Sequence, residues 1–197
     1  MTQQLILGHW YEVIGANAAG ATYVRHEASG SWGPAGTIEF ANGSVTFNGN
    51  SIDRLLCSDD IVAFDYYGNL GACYRLYQAA FKRTPDKAGL ANNVALMDGG
   101  LTLVQMAAAF LASSEGQTNY GGTADSAYVF ALYINVLGRA PSNAEVQAWL
   151  DRRSLFGSNA DWRTDTLWRF SESPENHNLV DATIRAGVLL TRSYFGV

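Results

Sequence analysis

Histidine, cysteine and proline are scarce in this chain: three, two and four residues among 197. His9, His26 and His177 lie far apart, and neither a Gly-x-Ser-x-Gly elbow nor a His-Glu-x-x-His helix occurs. Cys57 and Cys73 cannot form a disulfide framework and their spacing fits no zinc pattern, so they read as two small buried apolar residues. The acids Asp59, Asp60 and Asp65 lack the alternation, central glycine and distal glutamate of an EF-type loop and read as turn residues. No metal site, no cofactor and no catalytic residue is expected, and the chain reads as not an enzyme. Basic residues are scattered and outnumbered, 13 Lys and Arg against 18 Asp and Glu for a net charge of −5, which argues against a nucleic-acid partner. No apolar run approaches the roughly 18 residues of a membrane span. The opening MTQQLILGHWYEV has no basic n-region, so a Sec signal peptide is not expected.

Glycine, by contrast, is plentiful in the first seventy residues, and the pattern there is short-period. GTIEFANGSVTFNGN, residues 36–50, sets Asn42-Gly43 between β-branched and aromatic runs, a hairpin signal because both residues tolerate positive φ. RLLCSDDIVAFDYYGN, residues 54–69, repeats the form around an Asp-Asp turn, and HWYEVIGA and ATYVRHEA read as further strands. Residues 1–70 are therefore expected to form a small antiparallel β region of four to six strands, a docking or assembly module.

From residue 71 the period becomes helical. Cys73, Leu76, Tyr77, Ala80 and Phe81 make one stripe, and Val129, Leu132, Tyr133, Val136 and Leu137 repeat it 56 residues later. Each stripe runs into a helix start, Thr84-Pro85-Asp86 and Ala140-Pro141-Ser142, where the proline suits the first helical position and Thr84 can cap. Each copy ends in a related signature, FLASSEG at 110–116 and FSESPEN at 170–176, and Ser173-Pro174-Glu175 begins a further helix. The expected class is α+β: the β region, then an all-α domain at 71–197 built of a duplicated three-helix repeat, about 72–122 and 126–180, with a C-terminal helix.

RLLCSDDIVAFDYYGNLGACYRLYQAAFKRTPDKAGL, AAAFLASSEG, YVFALYINVLGRAPSNAEV and FSESPEN together resemble the domain of unknown function 4214 over about residues 51–185. That resemblance implies helical repeats of the kind found in secreted haemolysin-type, surface-layer-like and adhesin-like bacterial proteins and in phage tail and fibre proteins. It brings no catalytic residues with it. The first copy departs from the family by Asn92-Asn93, where the second keeps Trp149. The second carries an insertion-like RRSLFGSNADW at 152–162. The calcium-binding Gly-Gly-x-Gly-x-Asp array of type I secreted members is absent, although LLTRSYFGV at the end is apolar enough to permit such an export signal.

Residues present in both copies are most simply explained by the fold. Arg83, Pro85 and Glu115 in one copy, and Arg139, Pro141, Ser173 and Glu175 in the other, are read as structural, each arginine pairing with the glutamate of its own repeat or bonding helix-end carbonyls. Trp10, Tyr11, Tyr23 and Trp32 of the β region are candidate interface or glycan contacts. The expected function is a structural or attachment protein of a bacteriophage particle, in tail, fibre or particle surface, self-assembling through the β region or gripping other virion proteins. The alternative is a secreted or cell-surface adhesin-like module that binds a glycan.

Overall fold

The computed structural model describes residues 54–196 with their side chains and, ahead of them, five strands by backbone alone. Those strands are β1 (Thr2–Ile6), β2 (His9–Val13), β3 (Thr22–Arg25), β4 (Gly36–Phe40) and β5 (Gly43–Phe47). The hairpin read at 36–50 is present: β4 and β5 pair antiparallel with Phe40 opposite Gly43, and β3 adds to β4 to complete a three-stranded sheet. With β6 (Arg54–Leu56) and β7 (Asp60–Ala63), the described residues of 1–70 form seven strands where four to six were expected.

β1, β2, β6 and β7 share a second sheet with β8 (Val188–Thr191), in the order β1-β2-β6-β7-β8. Its β2–β6 pairing is parallel, Tyr11 opposite Arg54, while its other ladders are antiparallel. The turn between β6 and β7 closes by Cys57 N–H donating to the Asp60 carbonyl at 2.8 Å, with Asp59 accepting from the Asp60 N–H. β6 and β7 are buried on both faces, which their unbroken apolar runs anticipate.

Eight α-helices follow: α1 (Asn69–Phe81), α2 (Lys87–Asp98), α3 (Leu103–Ala112), α4 (Ser114–Tyr120), α5 (Asp125–Leu137), α6 (Asn143–Asp151), α7 (Asn159–Ser171) and α8 (Pro174–Arg185). The chain divides into two compact units, one of residues 1–71, 86–100 and 181–197, the other of 72–85 and 101–180. The boundary read at residue 70 thus marks only the first segment of the β unit. A strand edge must be paired and an apolar sheet face covered. β8 pairs along β7, and α2 packs against β8. The chain therefore closes in a strand and a short 3-10 turn (Arg192–Phe195) where a C-terminal helix was expected. Gly187, at φ 95, ends the helical path, and a Cβ there would meet the Phe64 ring at 2.8 Å. Arg192 donates to the carbonyls of Cys57 and Ser58 at 3.0 and 2.9 Å, and Leu190 and Phe195 are buried.

The β unit also buries a charge. Arg54 is 0 % exposed and donates to Asp65 at 3.0 and 3.2 Å and to Asp98 at 2.5 Å, with the Phe195 ring centroid 5.3 Å from its guanidinium carbon. Asn69 adds an amide bond to Asp98 at 2.9 Å. Full desolvation of a guanidinium is tolerable only with such complete pairing.

In sequence α5, α6, α7 and α8 repeat α1, α2, α3 and α4, although α2 and the end of α8 belong to the β unit. The helix starts differ in detail from the sequence reading. Asp86 and Ser142 are the capping residues, accepting from the N–H of Gly89 and Glu145, so Pro85 and Pro141 stand one residue before the cap and Thr84 does not cap. Aspartate and serine carry an oxygen at the distance the third helical N–H requires. The expected core stripes are buried at Cys73, Leu76, Tyr77, Ala80, Val129, Leu132 and Tyr133. The 152–162 segment is more than an insertion: Trp162 belongs to α7, is fully buried, and donates its indole N–H to the Trp149 carbonyl at 3.1 Å.

Candidate functional site

Each repeat holds an arginine clamp. Arg83 donates to both oxygens of Glu115 at 2.7 and 3.1 Å, and Arg139 to both oxygens of Glu175 at the same two distances. Their guanidinium carbons stand 5.0 Å from the Tyr77 ring centroid and 4.9 Å from that of Tyr133. Those tyrosines meet Phe110 and Phe170 edge-on. Ser113 and Ser173 each donate to the carbonyl of the phenylalanine three residues back, at 2.7 and 2.9 Å, and accept from the N–H three residues on, so one hydroxyl ends a helix and starts the next. A bidentate guanidinium–carboxylate pair stacked on an aromatic face is a strong orienting element. Both copies spend their shared charges on holding helices.

The second clamp has an extra arm. Arg139 also binds Glu145 at 2.8 and 3.3 Å, while Glu145 accepts from the Ser142 N–H at 2.7 Å. Arg139, then Ser142, holds the Glu145 carboxyl down at about 2. Gly89 stands at that place in the first repeat, and there Arg83 donates instead to the Tyr77 hydroxyl at 2.9 Å.

The copies also exchange an aromatic. Phe81 lies 4.7 Å from Phe110, centroid to centroid, but Leu137 takes its place in the second repeat. There Trp149 of α6 supplies the ring, 4.9 Å from Phe170, and donates its N–H to the Tyr133 hydroxyl at 3.3 Å. Asn93 is its counterpart in the first repeat. Moving the ring from one helix to the next leaves Trp149 partly exposed at the wall of a groove of about 310 Å³. Trp168, Arg152, Arg169, Glu172, Ser173 and Pro174 complete that wall. Arg169 lies over the Trp168 ring at 4.6 Å and Arg152 beside Trp149 at 5.8 Å. Asp165 bonds both arginines, at 3.0 and 2.9 Å, and fixes their positions. Trp168 corresponds to Ala108 in the first repeat, so the groove belongs to the second repeat alone.

Of the aromatic candidates in the β region, Trp10 and Tyr11 are neighbours in β2 of the five-stranded sheet, and Tyr23 is in β3 of the three-stranded one. Their side chains, and Trp32 altogether, lie outside the described residues. The groove was missed at the sequence level because Trp149 and Trp168 sit on different helices. The signal that could have found it is that both interrupt the match between the copies. Cys57 and Cys73 are buried and not joined in a disulfide, and burial, with Asp59 and Asp60 nearby, pushes the Cys57 thiol up to about 12. Among the described residues no cluster of His, Cys, Asp or Glu could hold a metal ion, and no helix is long and apolar enough to cross a membrane.

No curated protein and no solved structure matches this chain. Residues 107–180, from within α3 to within α8, match the model of one family, a narrower span than the 51–185 read from the repeats, with most of the first copy outside it. That segment is similar to the family described as a domain of unknown function, DUF4214.

Proposed function

We propose that this protein is a non-enzymatic attachment protein of a bacteriophage particle, which meets a surface glycan through its second repeat. One contrast supports the reading: the charged residues common to both repeats are bonded to each other, whereas the residues found in only one of them, Trp149 and Trp168, line an open groove. Two partly exposed tryptophans with the guanidinium groups of Arg152 and Arg169 beside them suit the apolar faces and hydroxyl edges of sugar rings. The groove also carries a carboxylate and a hydroxyl, Glu172, which Arg75 holds at 2.8 and 2.9 Å, and Ser173, which bonds the Phe170 carbonyl and the Asn176 N–H.

The same groove would serve an adhesin-like module at a bacterial surface. Mass spectrometry of purified particles, washed envelopes, cytosol and cleared medium separates the two settings. Stoichiometric recovery with particles is expected, and recovery from envelopes or medium without particles would overturn the virion assignment. Binding to a glycan array that is lost in Trp168→Ala is the result expected of the groove itself.

A further inference from the structure

A second concavity lies at the seam of the two repeats, away from the tryptophan groove. The last turn of α1, with α5 and α8, encloses about 340 Å³ lined by Gln78, Lys82, Arg83, Asn135, Asn176 and Val180. That volume is near the lower end of small-molecule sites, about 300–1,000 Å³.

The wall carries unspent hydrogen-bonding capacity. The Gln78 amide makes no hydrogen bond among the described residues, and Asn135 has a single 3.5 Å contact, to the Tyr120 hydroxyl. Asn176 is 2 % exposed and donates Nδ2 to the Ser171 carbonyl at 2.8 Å, leaving its Oδ1 without a donor among the described residues. None of these amide atoms is buried without a partner; they reach solvent and are open to a ligand in the cleft.

Lys82 is the second and independent sign. It has φ 58, the one positive φ at a non-glycine position among the described residues, and the repeat places it opposite Gly138, φ 68. A β-carbon in the left-handed region is costly, and such strain gathers where a side chain has a task. The Lys82 ammonium has no ion pair among the described residues; it lies 5.4 Å from the Tyr120 ring centroid. At the corresponding places the second repeat has Ile134 and Gly138 where the first has Gln78 and Lys82, so the polar wall is peculiar to this seam.

We propose that the seam cleft binds a carboxylate-bearing sugar, Lys82 pairing with its carboxylate and the amides of Gln78, Asn135 and Asn176 bonding its hydroxyls. One cation and several two-ended amides match an anionic polyol better than a neutral or purely apolar ligand. The site stands on its own geometry and does not depend on the attachment reading.

The test titrates the ¹⁵N-labelled full chain with glucuronate, N-acetylneuraminate, glucose and acetate, followed by NMR. Both or either of the acidic sugars should shift amides around residues 78–84, 135–136 and 176–180, with glucose and acetate at least about tenfold weaker. Lys82→Gly should raise the Tm yet weaken acidic-sugar binding at least about tenfold. Gln78→Ile, which installs the second repeat's residue, should weaken binding with the fold retained. Tighter binding of a uronate-ended oligosaccharide than of free glucuronate would make the ligand a glycan terminus, and the reverse order a free sugar acid. Absence of shifts at tens of millimolar acidic sugar would overturn the proposal, as would unchanged binding in Lys82→Gly.

Discussion

Arg139 bridges two glutamates at once, Glu175 at 2.7 Å and Glu145 at 2.8 Å, and so ties the cap of α6 to the first turn of α8. Among the described residues Arg83, its counterpart, pairs with one glutamate, Glu115. Both repeats use the same fastening, but the second uses it twice.

That difference makes the second repeat acid-sensitive. Arg139 holds the Glu175 carboxyl below its ordinary value and Glu145 at about 2. In the unfolded chain these carboxyls titrate near about 4.3, so protons bind the unfolded state first as pH falls. The stability they contribute is complete above that value and is lost between about 4.3 and 2. Thermal melts over this range should fall less steeply for Glu145→Gln than for the parent protein. Parallel curves would show that the Arg139–Glu145 arm is not formed in solution.

The buried Arg54 makes a stronger demand. Arg54→Met leaves Asp65 and Asp98 without their cation in a desolvated site and should lower stability by about 3–5 kcal/mol, read from urea unfolding. Replacing Arg54, Asp65 and Asp98 together by apolar residues should recover much of that loss, because no unpaired charge remains. A mild effect of the single change would mean that water reaches the site.

Gly116 sits in the first turn of α4, and a Cβ there would lie 2.0 Å from the Phe110 oxygen. Gly116→Ala must displace one helix from the other and should cost about 1–3 kcal/mol or more, measured by chemical denaturation. Gly138→Ala meets no neighbour within 4 Å. It should cost only the left-handed penalty, about 1–2 kcal/mol. The two variants thus separate collision from backbone strain.

The thiols give a check on packing. Cys57 and Cys73 are 1 % and 0 % exposed, and Cys57 has its thiol raised to about 12. A thiolate-selective reagent at pH 8 should leave Cys57 unmodified in the native protein and modify both cysteines after unfolding. Prompt native labelling of Cys57 would mean that the β6–β7 turn opens readily.

Much of the helical unit was legible because its information is local. A stripe such as Cys73, Leu76, Tyr77 and Ala80 is written within eight residues, and the second copy prints the same stripe again. The twin arginine–glutamate pairs could be anticipated from that doubling, since their partners recur at matching places. The cap read at Thr84 lies two positions early, the capping residue being Asp86, because proline and a β-hydroxyl both mark helix starts and only geometry tells which oxygen reaches the N–H.

The sequence by itself determined the α+β class, the duplication, the short hairpins and the burial of both cysteines, all consequences of residue period and turn chemistry over a few positions. Tertiary structure decided what depends on distant partners. It brought β8 to β7 across more than a hundred residues, aligned β2 parallel with β6, closed Asp65 and Asp98 around Arg54, and carried the aromatic from α1 in one repeat to α6 in the other. An unpaired strand edge, a buried charge and an uncovered ring each need a partner, and which residue answers is settled only when the elements pack together.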